Sequence, residues 1–342
     1  MTRVGKFGLT AALLVAALSS VSAQNARPTS SRGYASDTFE GFESVDQDDR
    51  IAQKKKSFWF SVSQKTPEKQ LEYARKRESD GQLNSARKAY EALIREWPTS
   101  PFAAEAQLNL ASLQEKREKY EKAFDEYQYL LTYYAGHCPF NEILDREFRI
   151  ANSLLHNNRS MFGWILSGMD PIRERFEQIV RNAPRSAMAP EAMLIIGSIR
   201  VSQNELDEAV AVYGGILNRF PESSQASSAA FLAGQCRHTL AVKHSYNEPR
   251  CREAIAFFKA TLARWPNHPQ KDQMTAWQNE LTALLLEQNY LQAVFYDTRQ
   301  RNSEAAKAAY RRFLTEFSDS KYGPAVRNRL AELEKGAPPA RK

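Results

Sequence analysis

The sequence predicts an all-α solenoid of stacked helix pairs, and three observations carry that reading. First, an aromatic residue, an aliphatic one three or four positions on, and a proline eight after the aromatic recur down the chain. The copies are Tyr90, Leu93 and Pro98; Phe176, Ile179 and Pro184; Tyr213, Ile216 and Pro221; and Phe258, Leu262 and Pro266. Copies without the proline begin at Tyr127 and Tyr310. Second, small residues stand twelve apart before several copies: Ala74 and Ala86, Ala111 and Ala123, Gly197 and Ala209. Third, alanine is abundant while the 342 residues include only 14 glycines and 15 prolines, a balance that favours helix. Units repeating at such a period bury their apolar faces against their neighbours, which makes a solenoid.

In chain order, Arg3 and Lys6 precede an apolar stretch over 7–21 and the small residues Val21, Ser22 and Ala23. That is the pattern of a secretory leader cut after Ala23, so 1–23 reads as a signal peptide and the mature protein as exported. Residues 24–66 lack a helical period and carry an acidic run at Asp46, Asp48 and Asp49, the composition of a flexible tether. Lys54, Lys55 and Lys56 then lead into Phe58, Trp59 and Phe60, rings suited to cover the open end of the first repeat or to touch a headgroup layer.

The helical period holds over 67–335. Repeat one places Ala74 and Ala86 on two helices joined at Gly81, with Tyr90 filling the gap to the next unit and Pro98 stopping the second helix. Repeat two has Ala111, Ala123 and Tyr127; repeat four has Gly197, Ala209, Tyr213 and Pro221. These are tetratricopeptide-type spacings, and they predict five to six helix pairs. Repeats three and five are stretched: Ala151 to Ile172 and Ala233 to Ala254 each span twenty-one positions, nine more than the rest. The extra residues are expected at the inner turns, as loops on one face. The first insert holds Met161, Phe162, Trp164, Ile165 and Leu166, too apolar to stay bare; the second holds His244 and Pro249. A long uninterrupted helix is predicted over about 273–301, with Ala293, Phe295 and Tyr296. After a turn at Asn302 come Ala306 and Tyr310, then a capping helix over about 322–334 and a frayed tail at 336–342.

The formal charge is +7, but Lys and Arg alternate with Glu and Asp along helix faces, which predicts a solvated surface and no nucleic-acid partner. Three cysteines remain. Cys236 and Cys251 read as the two ends of a helix connection that a disulfide would staple, or Cys236 as a small buried residue. His238 and His244 lie between them at a spacing that fits no zinc pattern, so no metal or cofactor is predicted. There is no phosphate loop, no His-Glu-x-x-His and no nucleophile elbow, so no catalytic residue is predicted and the chain reads as a non-enzyme.

The first helix of each pair lines the inner face of such a solenoid. Repeat one offers Glu68, Leu71, Arg75 and Glu78; repeat two Glu105, Leu108 and Ser112; repeat four Glu191, Leu194 and Ser198. Mixed polar and aliphatic side chains suit an extended peptide, although the same residues also suit packing or solvent.

The step Pro98-Thr-Ser100 recurs as Pro184-Arg-Ser186 and Pro221-Glu-Ser223. The chain closes with Gln292, Ala293, Phe295 and Tyr296, then Glu304, Ala305, Ala306 and Tyr310. With the two enlarged repeats, this run over about 67–335 resembles the outer-membrane protein assembly factor BamD family. The resemblance implies a periplasmic scaffold at the inner face of the outer membrane, which holds POTRA domains of the barrel protein and receives unfolded barrel substrates. Gln24 stands where that family carries its lipidated cysteine, so attachment through partner proteins is implied. The other reading is a soluble periplasmic adaptor for envelope constriction or cell-wall proteins.

Overall fold

The computed structural model of the chain describes residues 62–160, 168–243 and 247–336. The expected leader, most of the tether with its rings at Phe58, Trp59 and Phe60, the apolar insert from Met161 to Leu166, His244 and the tail lie outside those residues. Among the described residues the regular structure is helical, with thirteen α-helices and one short 3-10 turn. Two compact units divide the chain, 1–199 and 200–342.

In the first unit, α1 (Pro67–Ser79), α2 (Leu83–Glu96), α3 (Pro101–Lys116), α4 (Tyr120–Tyr133), α5 (Phe140–Ser160) and α6 (Asp170–Asn182) pack each on the next, and α1 also meets α3. Helix α7 (Ala189–Ser202) carries the boundary. In the second unit, α8 (Leu206–Arg219), α9 (Gln225–Lys243), α10 (Glu248–Arg264), α11 (Lys271–Thr298), α12 (Ser303–Phe317) and α13 (Gly323–Glu334) follow the same rule, with α9 also against α11.

Local chemistry sets the helix ends. The side chains of Thr66, Ser100, Asn247 and Asn302 accept a backbone N–H in the first turn of α1, α3, α10 and α12. Proline sits in the first turn of α1, α3 and α10, where its missing N–H costs nothing. Three first helices end in one way. Gly81, Glu118 and Asn204 take left-handed φ values of 75°, 56° and 60°. The next residue's N–H then returns to a carbonyl five positions back: Gln82 to Arg77 at 2.8 Å, Lys119 to Gln114 at 3.0 Å and Glu205 to Arg200 at 2.9 Å. The turn geometry therefore recurs although only the first copy has the glycine.

The packing positions are buried. Ala74, Ala86, Tyr90, Ala111, Ala123, Tyr127, Ala209, Tyr213, Phe258 and Ala306 are each 0 % exposed, and Gly197, Ala254 and Tyr310 are buried with them. Small side chains let helix axes approach, and each large ring fills the remaining gap, contributing roughly 1.5–3 kcal/mol by burial. The helices α9 and α10 approach closely at Gly234, where an added Cβ would stand 2.7 Å from Cε1 of Phe258.

Repeat five departs from the expected loop. Helix α9 runs ten residues past Ala233, where α3 runs five past Ala111; α10 begins six before Ala254, where α4 begins three before Ala123. Of the nine extra residues, five lengthen α9, three lengthen α10 and one enters the connection. No Gly or Pro interrupts 235–248, and Pro249 falls in the first turn of α10, so both helices extend into the insert before Asn247 caps α10. In repeat three, α5 likewise runs nine residues past Ala151, to Ser160.

This elongation overturns the disulfide. Cys236 and Cys251 are free thiols. The Cys251 thiol faces the carbonyl of Ala241 at 3.9 Å, and Ala241 lies five residues beyond Cys236 on α9, about 7.5 Å along the axis. The two sulfurs sit at different levels of the helix pair. Burial pushes the Cys236 thiol up to about 12, so it is the small buried residue of the other reading.

Candidate peptide-binding face

The structure divides the predicted peptide-binding residues. Leu71 and Leu194 are buried in packing and Leu108 packs against the core, so the aliphatic members are committed to the fold. Glu68 and Arg75 are exposed. Arg75 pairs with Glu105 of the next first helix. Glu78 accepts the Tyr90 hydroxyl at 2.9 Å and the Lys116 ammonium at 2.6 Å. Ser112 lies 3.3 Å from the Tyr127 hydroxyl and accepts from Arg146 at 3.2 Å. Ser198 donates to the Leu194 carbonyl at 2.9 Å. Glu191 is half-buried, and burial pushes its carboxyl up to about 7. In the first unit, then, most charged candidates bridge successive helix pairs.

One bridge recurs and was not read from the sequence. A buried tyrosine on the second helix of a pair donates to an acid on the first helix, and that acid meets a cation one helix further on. Tyr127 donates to Glu115 at 2.7 Å, and Arg146 stands 3.1 Å from the tyrosine oxygen and 3.5 Å from the carboxylate. In the second unit Tyr310 donates to Asp297 at 3.2 Å, and Arg329 grips Asp297 at 2.8 and 3.0 Å. Burial first, then the Glu115 bond, pushes the Tyr127 phenol up to about 12. The legible signal was an acid twelve residues before the tyrosine, at Glu78 and Glu115 alike.

A cleft of about 440 Å³ opens where α3 faces α5. Ser112, Glu115 and Lys116 line it from α3, Tyr120 from the head of α4, and Arg146, Arg149 and Ser153 from α5. In the second unit, the face shared by α9 and α11 is aromatic. Phe231 stacks on Trp277 with centroids 5.5 Å apart, and His238 stacks on the same indole at 5.3 Å while meeting Glu280 at 2.9 Å. His238 thus answers Trp277 and Glu280, and Cys251 answers Ala241.

Two family models, both described as tetratricopeptide repeat, match residues 74–137 and 191–223. The chain carries tetratricopeptide repeats. The first match begins at Ala74 and runs to the short turn after α4; the second covers most of α7 and all of α8. Comparison with curated proteins gives no match. Among solved structures the chain is similar to the crystal structure of a tetratricopeptide repeat protein from Parabacteroides merdae ATCC 43184. The identity is 15 %, with 79 % of this chain and 98 % of that chain covered and a TM-score of 0.27. The all-α solenoid therefore stands on the helix pairs and the repeat matches. Tetratricopeptide repeats are protein-interaction scaffolds, which points to protein partners for this chain.

Proposed function

We propose that the chain is a non-enzymatic periplasmic scaffold in outer-membrane β-barrel assembly, binding barrel-machinery subunits and unfolded clients. The observation that carries the reading is α11. It bears the Ala293, Phe295 and Tyr296 run of the family resemblance; Ala293 is buried against α12, while Leu291 and Phe295 stay 53 % and 47 % exposed. Large apolar groups held outward on a repeat scaffold are what a protein contact uses. The leader-like residues 1–23 support export, and Gln24 in place of the lipidated cysteine supports attachment through partners.

The test is affinity capture of the tagged chain from detergent-solubilised envelope. Co-purification of a POTRA-containing barrel protein is the expected result, and Phe295→Asp should reduce it. Capture of cell-wall or envelope-constriction proteins alone would favour the adaptor reading, and capture of cytoplasmic proteins alone would overturn both.

A further inference from the structure

Helices α9 and α11 run in the same direction: Phe231 meets Trp277, and His238, further along α9, meets Glu280, further along α11. Their lengths differ. Helix α9 ends five residues after His238, at Lys243, while α11 continues eighteen residues past Glu280, to Thr298. The last thirteen residues of α11, about 20 Å, therefore lie beyond the end of α9. Trp277, Leu284 and Leu291 are spaced by seven, so Leu291 stands on the side of α11 that α9 covers earlier in the helix. Val242, Leu291 and Phe295 are the exposed large apolar side chains of the second unit among the described residues, at 42 %, 53 % and 47 %. Val242 closes the α9 row. Leu291 and Phe295 stand one turn apart on the overhang, and exposed Arg299 follows one turn further along the same stripe. The N–H groups of Arg299 and Gln300 both donate to the Phe295 carbonyl, at 3.0 and 3.1 Å, which keeps Arg301 close to the stripe.

The charges around the stripe are one-sided. Lys243, Arg299 and Arg301 are exposed and form no ion pair among the described residues. The neighbouring acids are engaged: Glu287 accepts the Tyr322 hydroxyl at 2.7 Å, and Asp297 is buried under Arg329 at 2.8 Å. Residues 299–342 hold eleven Lys and Arg against five Asp and Glu, so most of the chain's +7 lies in this stretch. We propose that an acidic amphipathic helix of a protein partner lies along the overhang, in line with α9 and in its place on α11. Three to four helical turns fill about 20 Å. Apolar side chains at i, i+3 or i+4, and i+7 of the partner helix meet Leu291 and Phe295. Its flanking carboxylates meet Lys243 at one end and Arg299 and Arg301 at the other. Exposed ion pairs add little energy singly, so the apolar contact supplies the binding and the cations select the charge of the partner. The proposal rests on the reading above that Leu291 and Phe295 meet protein, and it needs no barrel machinery.

Two fluorescein-labelled helical peptides test it, with the same leucines at i, i+3, i+4 and i+7 and with either Glu or Lys at the flanking positions. Fluorescence anisotropy with the full-length chain at low salt should show the Glu peptide binding at least tenfold tighter than the Lys peptide. Phe295→Ser should weaken the Glu peptide at least tenfold, and Leu291→Ser serves in its place if that variant misfolds. Arg299→Glu with Arg301→Glu should reverse the preference, and 0.5 M NaCl should narrow it. Equal binding of the two peptides would overturn the proposal, as would a Glu preference untouched by the serine variants or by the charge reversal. Binding to phosphatidylglycerol vesicles, or self-association of the chain, that Phe295→Ser abolishes would also overturn it, since either puts another occupant on the stripe. Peptide selectivity with no barrel protein in the capture experiment would sink the barrel reading and leave this proposal standing. Capture abolished by Phe295→Asp without peptide selectivity would sink this proposal alone.

Discussion

Tyr90 donates its phenolic hydrogen to Glu78 across 2.9 Å, joining the two helices of one pair, and Lys116 then ties the same carboxylate to the next pair at 2.6 Å. The bond at Tyr127 and Glu115 repeats this with Arg146. A hydrogen bond to a charged group in a partly buried place contributes about 1.5–3 kcal/mol. Tyr127→Phe should destabilise by that amount, read from urea midpoints. In a double-mutant cycle with Arg146→Met the two losses should fall short of additive, because both act through Glu115. Strict additivity would show that the three side chains act separately.

Close approach at Gly234 makes a second prediction. Gly234→Ala puts a methyl against the Phe258 ring and should cost about 1–3 kcal/mol. Phe258→Leu in the same chain should recover part of that loss. Gly323→Ala should cost more than Gly234→Ala, because its Cβ would meet the Ser318 carbonyl oxygen at 2.0 Å and backbone cannot swing aside as a ring can. Thermal melts of the three variants decide the order.

Thiol chemistry separates the cysteines. Cys138 is half-buried, while Cys236 and Cys251 are buried. A thiol reagent should label Cys138 in the native protein and the other two only in denaturant, and dithiothreitol should leave the melting temperature unchanged. A melting temperature that drops on reduction would restore the disulfide.

Two carboxylates predict opposite dependences on pH. Glu191 is raised by burial from 4.5 to about 7 in the folded chain. Folding thus favours its protonated form, and this stability is present below pH 4.5 and is lost as pH rises through 7. Glu191→Gln should therefore stabilise at pH 8 and change little at pH 4. At Glu248, burial opposes ionisation, but the hydrogen bonds from Arg252 and Arg312 outweigh it and hold the carboxyl below its usual range. Its contribution is present above 4.5 and is lost as pH falls through the lower folded value, so Glu248→Gln should flatten the acid limb. Urea midpoints between pH 3 and 8 test both signs, with the Glu248 effect shrinking in salt because Arg312 is well exposed.

Legibility followed the physics of each feature. Helix existence was legible because Ala74, Ala86 and Tyr90 recur as Ala111, Ala123 and Tyr127, and burial enforces that spacing. The long helix was legible too, since no breaker interrupts Lys271–Thr298. In repeat five the added length alone suggests a loop, whereas a breaker-free stretch with apolar Leu240 and Ala241 gains more by staying helical and burying them. The left-handed turns at Glu118 and Asn204 were invisible beside Gly81, because a hydrogen-bonded helix end imposes that conformation on residues that do not announce it. At the candidate face, sequence periodicity identified residues on the first helices but could not show that Glu78 and Arg75 already have partners, a matter of side-chain reach between repeats.

Within each unit, helices that lean on the one just before carry a kinetic consequence. Contacts that are short in sequence cost little loop-closure entropy, so such a chain should fold quickly and in order. Threaded out of a ribosome or a translocation channel from its N-terminal end, it could close α1 on α2 before α3 emerges, and each finished pair would serve as the template for the one that follows.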